Sequence, residues 1–449
     1  MRKQVNNFLL KTLIFLSTIG IIYFIRRAFF LDKERIIFFG TCLILLVLFL
    51  TLLIFVKFKN QKIQSNFLIF FFSSLISLYV LELTMFKLKY NKENFQFLEN
   101  VRAAKIEKVD FDDRNIFKFY KDYNKNKNEN SVISMSRVQV SIDNKIVQTL
   151  GGIGNRETIL CNESGYWTTF KSDRYGFNNP DELWDKKLDV VIVGDSFGLG
   201  LCVNQDQNFA GVLRKNGKKS ITLGGTGMGT LFEYAILREY TKNIETDNLI
   251  FMFYLNDLHN LNSELSNPIL LNYLNDNNFS QNLALNQNNI NIKLEEKLIN
   301  YINKKKFLTL ERIAKFYYIR EAVRDIIYKK DKNVIFSRFE IDEQKLNKVI
   351  EILKKVEDDF KGNLYIGYLP SAAEYMFKEN EKKLLKEISD RIVNKLKANS
   401  FDVIDFRLSL DSKELDEILP FGSIVKTQNH YNAKGYKLIS NQMLEHLYK

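Results

Sequence analysis

Three apolar stretches near the start of the chain constrain its fold more than anything that follows them. Phe8–Ile25 is broken only by Lys11, Ile36–Val56 runs 21 residues without a charge, and Phe67–Phe86 contains only Glu82, near its end. A helix needs about 20 apolar residues to cross a bilayer, and a lysine near one end can snorkel to the headgroups. No small-residue cleavage site of the A-x-A kind follows the first stretch, so it is expected to be retained rather than removed as a signal peptide. Residues 1–90 therefore read as a three-helix, multi-pass membrane anchor whose two ends lie on opposite sides. The charge rule does not orient it. With the N-terminus inside, the inner flanks hold six cations and the outer flanks seven.

The net charge of +12 is concentrated in this region. Residues 1–93 hold 13 Lys and Arg against 4 Asp and Glu, which leaves the other 356 residues with +3. A broad nucleic-acid surface needs clustered cations on a folded domain, so no nucleic-acid partner is expected. Three cysteines, three histidines and no C-x-x-C pair argue against a bound metal, and nothing calls for a cofactor.

Residues 91–185 read as a connector with a β-hairpin lead-in. In Arg137–Leu150, Val138, Val140 and Ile142 alternate before Asp143-Asn144-Lys145 and Ile146-Val147, which is a hairpin signal. From Asp189 the pattern changes to short β-branched runs separated by helical periods. Strands are expected over Val190–Val193, Ser220–Leu223, Asn248–Tyr254, Asn363–Leu369 and Phe401–Phe406. Helices are expected over Leu231–Thr241, Glu343–Phe360 and Asn380–Ala398. Buried strands alternating with helices imply an α/β fold with a parallel sheet covered on both faces, and chemistry beyond the C-terminal strand ends. This domain is expected over 186–449. Residues 262–337 form a helical insertion, because the segment is too long for an ordinary connection.

Four places beyond those strands carry reactive or ligand-binding side chains. The first strand runs into Gly194-Asp195-Ser196-Phe197-Gly198, which sets a serine where the chain turns off the sheet. The second runs into Gly224-Gly225-Thr226-Gly227-Met228-Gly229, small residues that let backbone N–H groups approach a ligand. Its spacing is G-x-G-x-G and it follows the second strand, which argues against a dinucleotide loop. The third ends in Tyr254-Leu255-Asn256-Asp257, where Asn256 is either an Asx-turn residue or a side-chain donor to an oxyanion. Finally, Asn429-His430-Tyr431-Asn432 precedes a terminal helix on a loop that can return to the strand ends. His446 on that helix and His259 in a turn have no such route.

Taken together and in this order, Ser196, Gly227, Asn256 and His430 resemble the four marker residues of the SGNH/GDSL hydrolase superfamily, over about residues 160–449. Cys161-Asn162-Glu163-Ser164-Gly165-Tyr166 and Ser172-Asp173-Arg174-Tyr175-Gly176-Phe177-Asn178-Asn179-Pro180 resemble the lead-in of a membrane-anchored branch linked to bacterial surface polysaccharide. The resemblance implies a flavodoxin-like parallel-sheet hydrolase domain and a Ser196 nucleophile activated by His430. It also implies an oxyanion hole made of the Ser196 and Gly227 N–H groups and the Asn256 side chain.

Two departures from that pattern matter. The family places an aspartate two or three residues before the histidine, where this chain has Gln428 and Thr427. Gln428 or Thr427 can orient the ring without stabilising its charged form; either a Ser–His dyad works with a backbone carbonyl, or another acid such as Asp405 or Asp411 substitutes, or activity is low or absent. The second departure is Leu255, where many relatives have glycine. Cys161 and Cys202 either form a disulfide, which requires an oxidising compartment, or remain as buried thiols.

What the resemblance implies for activity is an extracytoplasmic serine esterase that removes acyl groups, acetyl the simplest, from a cell-surface glycan or lipid-linked polysaccharide at the membrane. An O-acyltransferase on the same glycan would use the same acyl-enzyme, and a non-catalytic component of polysaccharide assembly would use none.

Overall fold

The computed structural model describes residues 2–26, 36–127, 130–327, 342–370, 379–411, 413, 415–422, 424–425 and 430–449. They fall into two compact units. One contains Met1–Lys89 together with Leu310–Ile327, and the other contains Tyr90–Thr309 and the described residues after Ile327.

In the first unit, helices α1 (Arg2–Arg26), α2 (Ile36–Lys57) and α3 (Gln61–Glu93) correspond to the three apolar stretches. All three are long and apolar enough to cross a membrane. Leu10, Leu53, Val56 and Leu68 bury against one another, and the Asn6 side-chain amide donates to Ser65 Oγ at 2.7 Å within the bundle. The remaining apolar surface points outward, as lipid-facing helices require: Phe8, Leu48, Phe70 and Val80 are all exposed. One difference from expectation stands out. Leu310–Ile327, read as part of an insertion in the second unit, packs with the three helices instead.

The second unit begins with α4 (Phe95–Glu107) and α5 (Ile116–Lys127). A small sheet follows, in which β1 (Val132–Ile133) runs parallel to β4 (Glu157–Ile159), and β4 runs antiparallel to β5 (Thr169–Lys171). Between β1 and β4 lies the hairpin of β2 (Gln139–Ile142) and β3 (Lys145–Gln148). Its turn residues Asp143 and Asn144 both have positive φ, 48° and 61°. Two such residues give the turn whose twist matches that of the paired strands.

The large sheet is parallel throughout, in the order β10-β9-β8-β6-β7. Along the chain come β6 (Leu188–Gly194), the short helix α6 (Ser196–Leu199), α7 (Phe209–Lys215), β7 (Ser220–Gly224), α8 (Thr230–Tyr240) and β8 (Thr246–Tyr254). Helices α9 (Asp257–Leu265), α10 (Pro268–Asn275), α11 (Gln287–Ala314) and α12 (Tyr317–Ile327) follow. The chain returns through α13 (Glu343–Asp359), β9 (Asn363–Leu369), α14 (Glu379–Ala398), β10 (Asp402–Asp405), α15 (Arg407–Leu410), α16 (Leu415–Ile418) and α17 (Ala433–Leu447). Each expected sheet strand is present within two residues of its predicted bounds.

The sheet's central strands are buried on both faces where their side chains form continuous apolar runs, Val190–Val193 in β6 and Leu249–Tyr254 in β8, and their alternation sorts the core into two layers. Val191, Val193, Leu249, Phe251 and Phe253 face α8, α9, α13 and α14. Val190, Ile192, Ile250 and Met252 face α7 and α17, whose Phe209, Tyr436, Ile439 and Met443 are buried there. Burial of one such side chain contributes about 1.5–3 kcal/mol. Register then sets the site. Gly194 pairs with Gly224, Val193 with Phe251 and Tyr254 with Leu369, so the C-terminal ends of neighbouring strands share one edge. The first strand in sequence, β6, has β7 on one side and β8 on the other, and the order reverses there. In open α/β sheets ligands bind beyond the strand ends at that reversal.

Candidate active site

Ser196 is the first residue of α6, two residues past β6. Asp195 caps this helix, its Oδ1 accepting the Phe197 N–H at 2.8 Å. The turn after β7 lies against the same segment: a Cβ on Gly224 would come within 2.3 Å of the Leu199 nitrogen. Tyr436 of the terminal helix donates its hydroxyl to the Phe197 carbonyl at 3.2 Å, which ties the segment from the other side. Ser196 is thus buried and held, only 8% exposed.

His430 is positioned by its neighbours on the terminal loop. The Asn432 side chain accepts N–H groups from Lys434 and Gly435 and so starts α17, while the Asn432 N–H donates to the Ile418 carbonyl at 2.9 Å. Tyr431 donates its hydroxyl to the Pro370 carbonyl at 2.7 Å. The Phe197 ring packs against both the His430 imidazole and the Tyr431 ring, each with centroids 4.9 Å away. So placed, His430 Nε2 lies 2.9 Å from Ser196 Oγ.

The other ring nitrogen identifies the acid. His430 Nδ1 is 2.9 Å from Glu163 Oε1, and the His430 main-chain N–H donates to Glu163 Oε2 at 2.8 Å. An ionised carboxylate only accepts hydrogen bonds, so the proton sits on Nδ1, and Nε2 is left to accept the Ser196 hydroxyl. That hydroxyl has a second acceptor in Asp195 Oδ2, but at 3.4 Å, so the imidazole holds it. Burial alone would lower the His430 pKa. The charge and hydrogen bond of Glu163, with the charge of Asp195, outweigh burial and raise it above its ordinary value.

The group at Nδ1 is an acid that sequence reasoning left without a role. Thr427 and Gln428 lie outside the described residues. Asp405 is engaged by Arg407 through Nε at 2.9 Å and Nη2 at 2.6 Å, and Asp411 follows the end of α15. The carboxylate instead comes from the loop between β4 and β5. That loop is narrow at its base, where the Leu160 and Thr168 N–H groups donate to the Thr168 and Cys161 carbonyls, each at 2.9 Å. Its tip turns through Gly165 at φ +99°, where a Cβ would come within 2.7 Å of the Asp110 carbonyl. The Asn162 side chain bridges it, donating to the Asp112 carbonyl at 2.8 Å and accepting the Gly165 N–H at 2.9 Å. From α4, the Gln96 amide donates to Glu163 Oε1 at 3.3 Å and the Asn100 amide to the Glu163 carbonyl at 3.2 Å. Cys161, two residues before the acid, is disulfide-bonded to Cys202, six residues after Ser196.

The two further marker residues sit at the same sheet edge. Gly227 has φ +67°, a backbone conformation that suits glycine, and its carbonyl accepts from the Arg137 guanidinium. The neighbouring Met228 carbonyl accepts from Asn260 of α9 at 3.0 Å, which joins this turn to the one after β8. Asn256 ends that strand connection, with its Nδ2 donating to Asp195 Oδ2 at 3.1 Å and its buried Oδ1 without a partner among the described residues. Behind it lie buried carboxyl groups to which the sequence motifs give no role. Glu233 and Asp257 are fully buried, and both are pushed up, by burial and then by neighbouring acids. Glu264 accepts the Gly229 N–H at 2.7 Å and the Leu231 N–H at 3.1 Å, and burial pushes it up to about 7.

No family model and no curated protein matches the sequence. Solved structures do resemble the fold. A member of the lipolytic G-D-S-L family from Veillonella parvula is 13% identical, with 57% of this chain and 96% of that one covered and a TM-score of 0.31. LAE5, an alpha/beta hydrolase enzyme from the metagenome of Lake Arreo, is 9% identical over 59% and 97%, with a TM-score of 0.33. The lipase Lip_vut3 from a goat rumen metagenome is 15% identical over 58% and 97%, with a TM-score of 0.32.

Proposed function

We propose that this chain is a membrane-anchored serine esterase that removes O-acyl groups, acetyl in the simplest case, from a cell-surface glycan. The observation that carries the proposal is the continuous chain from Ser196 through His430 to Glu163, with both links at 2.9 Å. A serine hydroxyl is a weak nucleophile until a base takes its proton, and the base must hold the right tautomer and tolerate a positive charge. Glu163 meets both needs.

The steps follow from these positions. Ser196 Oγ attacks the ester carbonyl carbon as its proton passes to His430 Nε2. The negative charge that develops on the carbonyl oxygen is met by the Ser196 and Gly227 N–H groups and the Asn256 amide. The imidazolium returns its proton to the leaving sugar hydroxyl, and the acyl group stays on Ser196. Water, deprotonated by the same imidazole, then releases the acid.

Two observations support the placement. Three apolar helices tether the domain, which limits its substrates to those at the membrane. The Cys161–Cys202 disulfide fits an oxidising compartment, hence the extracytoplasmic side. The glycan follows from the resemblance of the 161–180 segment to the surface-polysaccharide branch.

The test is covalent. A fluorophosphonate probe should label the full-length protein in membranes, and Ser196→Ala should abolish labelling. Acetate release from p-nitrophenyl acetate and from acetylated surface glycan should depend on the same residue. A wild-type protein that neither labels nor hydrolyses would remove the esterase from consideration. Acetyl transfer to glycan without acetate release would make it a transferase.

A further inference from the structure

Glu82 is the one acid within the three apolar stretches. A carboxylate at that depth is costly unless it finds donors. Here it is fully buried, and both oxygens accept backbone N–H groups, from Tyr318 at 2.9 Å and Ile319 at 2.8 Å. These belong to the first turn of α12, where N–H groups have no partner within the helix and the dipole favours a negative charge. The span thus reaches out and caps a helix more than 230 residues later in sequence.

The seam continues on both sides of this cap. Tyr79 packs against Phe316, with centroids 4.5 Å apart and the rings tilted by 38°, and donates its hydroxyl to the Ala314 carbonyl at 3.4 Å. Phe86 packs against Tyr318 at 5.1 Å, and Lys89 pairs with Glu321. All these partners on α3 lie between residues 79 and 89, where its apolar run gives way to Lys87, Lys89 and Lys92. In a membrane-spanning helix that transition marks the headgroup level.

Away from the seam, α12 turns apolar side chains outward. Ile319, Val323 and Ile326 follow helical spacing along one face, and the last two are 47% and 75% exposed. Arg320 and Arg324, also exposed, border that face. Apolar residues on one face, cations beside them and tyrosines at the start are the composition of a helix that lies in the plane of a bilayer surface.

We infer that α12 is an interfacial helix whose Ile319–Val323–Ile326 face enters the headgroup–acyl boundary of the bilayer that α3 crosses. The occupant is lipid because the helix is fixed to a span at the depth where that span leaves the apolar layer, so its outer face continues the lipid-facing surface of α3. The inference rests on α3 spanning a membrane. Its length, 11 residues or about 16 Å, suits a helix that lies on a bilayer and is too short to cross one.

Site-directed spin labelling tests this on the full chain in vesicles of phosphatidylcholine and phosphatidylglycerol. Cys42, the free thiol, is replaced by serine, and single cysteines are introduced as Val323→Cys, Ile326→Cys and Arg320→Cys, with Leu48→Cys in α2 as the reference. Labels at 323 and 326 should collide with oxygen more than with a water-soluble nickel chelate, as at 48, while the label at 320 should show the reverse. Preference for nickel at 323 and 326, with 48 still in lipid, would overturn the inference and leave the anchor intact. Shielding from both reagents would overturn it in favour of a protein-covered face. Water-like access at 48 would remove the spanning helices themselves, and this inference with them.

Discussion

His430 Nδ1 and Glu163 Oε1 stand 2.9 Å apart, although 267 residues separate them in sequence. The carboxylate that holds the imidazole therefore precedes Ser196 in sequence, and the histidine follows Ser196 by 234 residues. This carboxylate does two jobs at once, since its other oxygen holds the histidine main chain at 2.8 Å. Glu163→Gln keeps the size but can donate to Nδ1, which favours the wrong tautomer. The expected fall in kcat is about 10⁴-fold with little change in KM. Gln428→Ala and Thr427→Ala should leave kcat within about threefold of wild type, since orientation already has its carboxylate. Steady-state kinetics on p-nitrophenyl acetate decides between them; a large loss at 428 with none at 163 would reverse the assignment.

The same pair sets a pH dependence. The proposed mechanism needs His430 unprotonated, and its pKa is raised: burial alone would lower it, but the charge and hydrogen bond of Glu163, with the charge of Asp195, prevail. The rate should therefore rise with pH through an acid limb that lies above the ordinary imidazole range. Removing the negative charge in Glu163→Gln leaves burial with less opposition, so the limb should move to lower pH in the residual activity. A kcat/KM profile of both proteins measures this. An unmoved limb would mean that the titrating group is not His430.

Much of this was legible in the sequence, for identifiable reasons. Strands β6 and β8 are continuous apolar runs, which only a doubly covered sheet buries, and the serine and asparagine follow them directly. Asp143-Asn144 announced a turn because few other residues tolerate positive φ. The Cys161–Tyr166 segment contains Glu163 but gives it no role, because a loop acid has no periodicity to betray its direction. The cysteines held the missing signal: a Cys161–Cys202 pair must bring residue 163 to the neighbourhood of residue 196. The return of α12 to the three apolar helices was hidden for a different reason. Its only trace in the spans was Glu82, and an acid in an apolar run says that a partner exists without naming it.

Asn256 is held by Asp195 through one N–H, at 3.1 Å. That bond fixes the amide plane, and the second N–H remains to meet a developing oxyanion. Asn256→Ala should lower kcat about 10²- to 10³-fold and change KM little. Asn256→Asp, which substitutes an acceptor beside Asp195, should lower it at least as far. If both variants raise KM and leave kcat alone, the side chain binds substrate and does not stabilise the transition state.

The buried acids predict a stability that falls with rising pH. A carboxyl whose folded pKa lies above its unfolded value binds its proton more tightly when folded. Its contribution is complete below the unfolded pKa and is lost as pH rises through the folded one. For Glu264, raised by burial from 4.5 to about 7, the loss across that window is roughly 3 kcal/mol. Glu233, whose two oxygens accept no hydrogen bond among the described residues, acts in the same direction. Glu233→Gln, neutral at every pH, should match wild type in Tm near pH 5 and exceed it near pH 8. Circular dichroism melts in detergent at the two pH values provide the measurement. A wild-type Tm that rises from pH 5 to pH 8 would contradict the sign.

The proposed mechanism predicts that the Cys161–Cys202 disulfide links stability to catalysis, because it joins the loop that carries Glu163 to the segment that carries Ser196. The bridge spans 41 residues. In the chain-entropy account its loss costs about 4 kcal/mol. Cys161→Ser should therefore lower the Tm by several degrees. It should also lower kcat, because Glu163 lies two residues away on a loop that then has only hydrogen bonds to hold it, among them those of the Asn162, Gln96 and Asn100 side chains. The two effects separate by temperature. Well below the transition, lost stability leaves kcat untouched, whereas a displaced Glu163 lowers it at every temperature and moves the acid limb of the pH profile toward that of Glu163→Gln. Reduction of wild-type protein with dithiothreitol should reproduce the Cys161→Ser values. A variant that loses Tm but keeps full kcat and an unmoved limb at low temperature would show that the disulfide braces the fold and has no part in placing the acid.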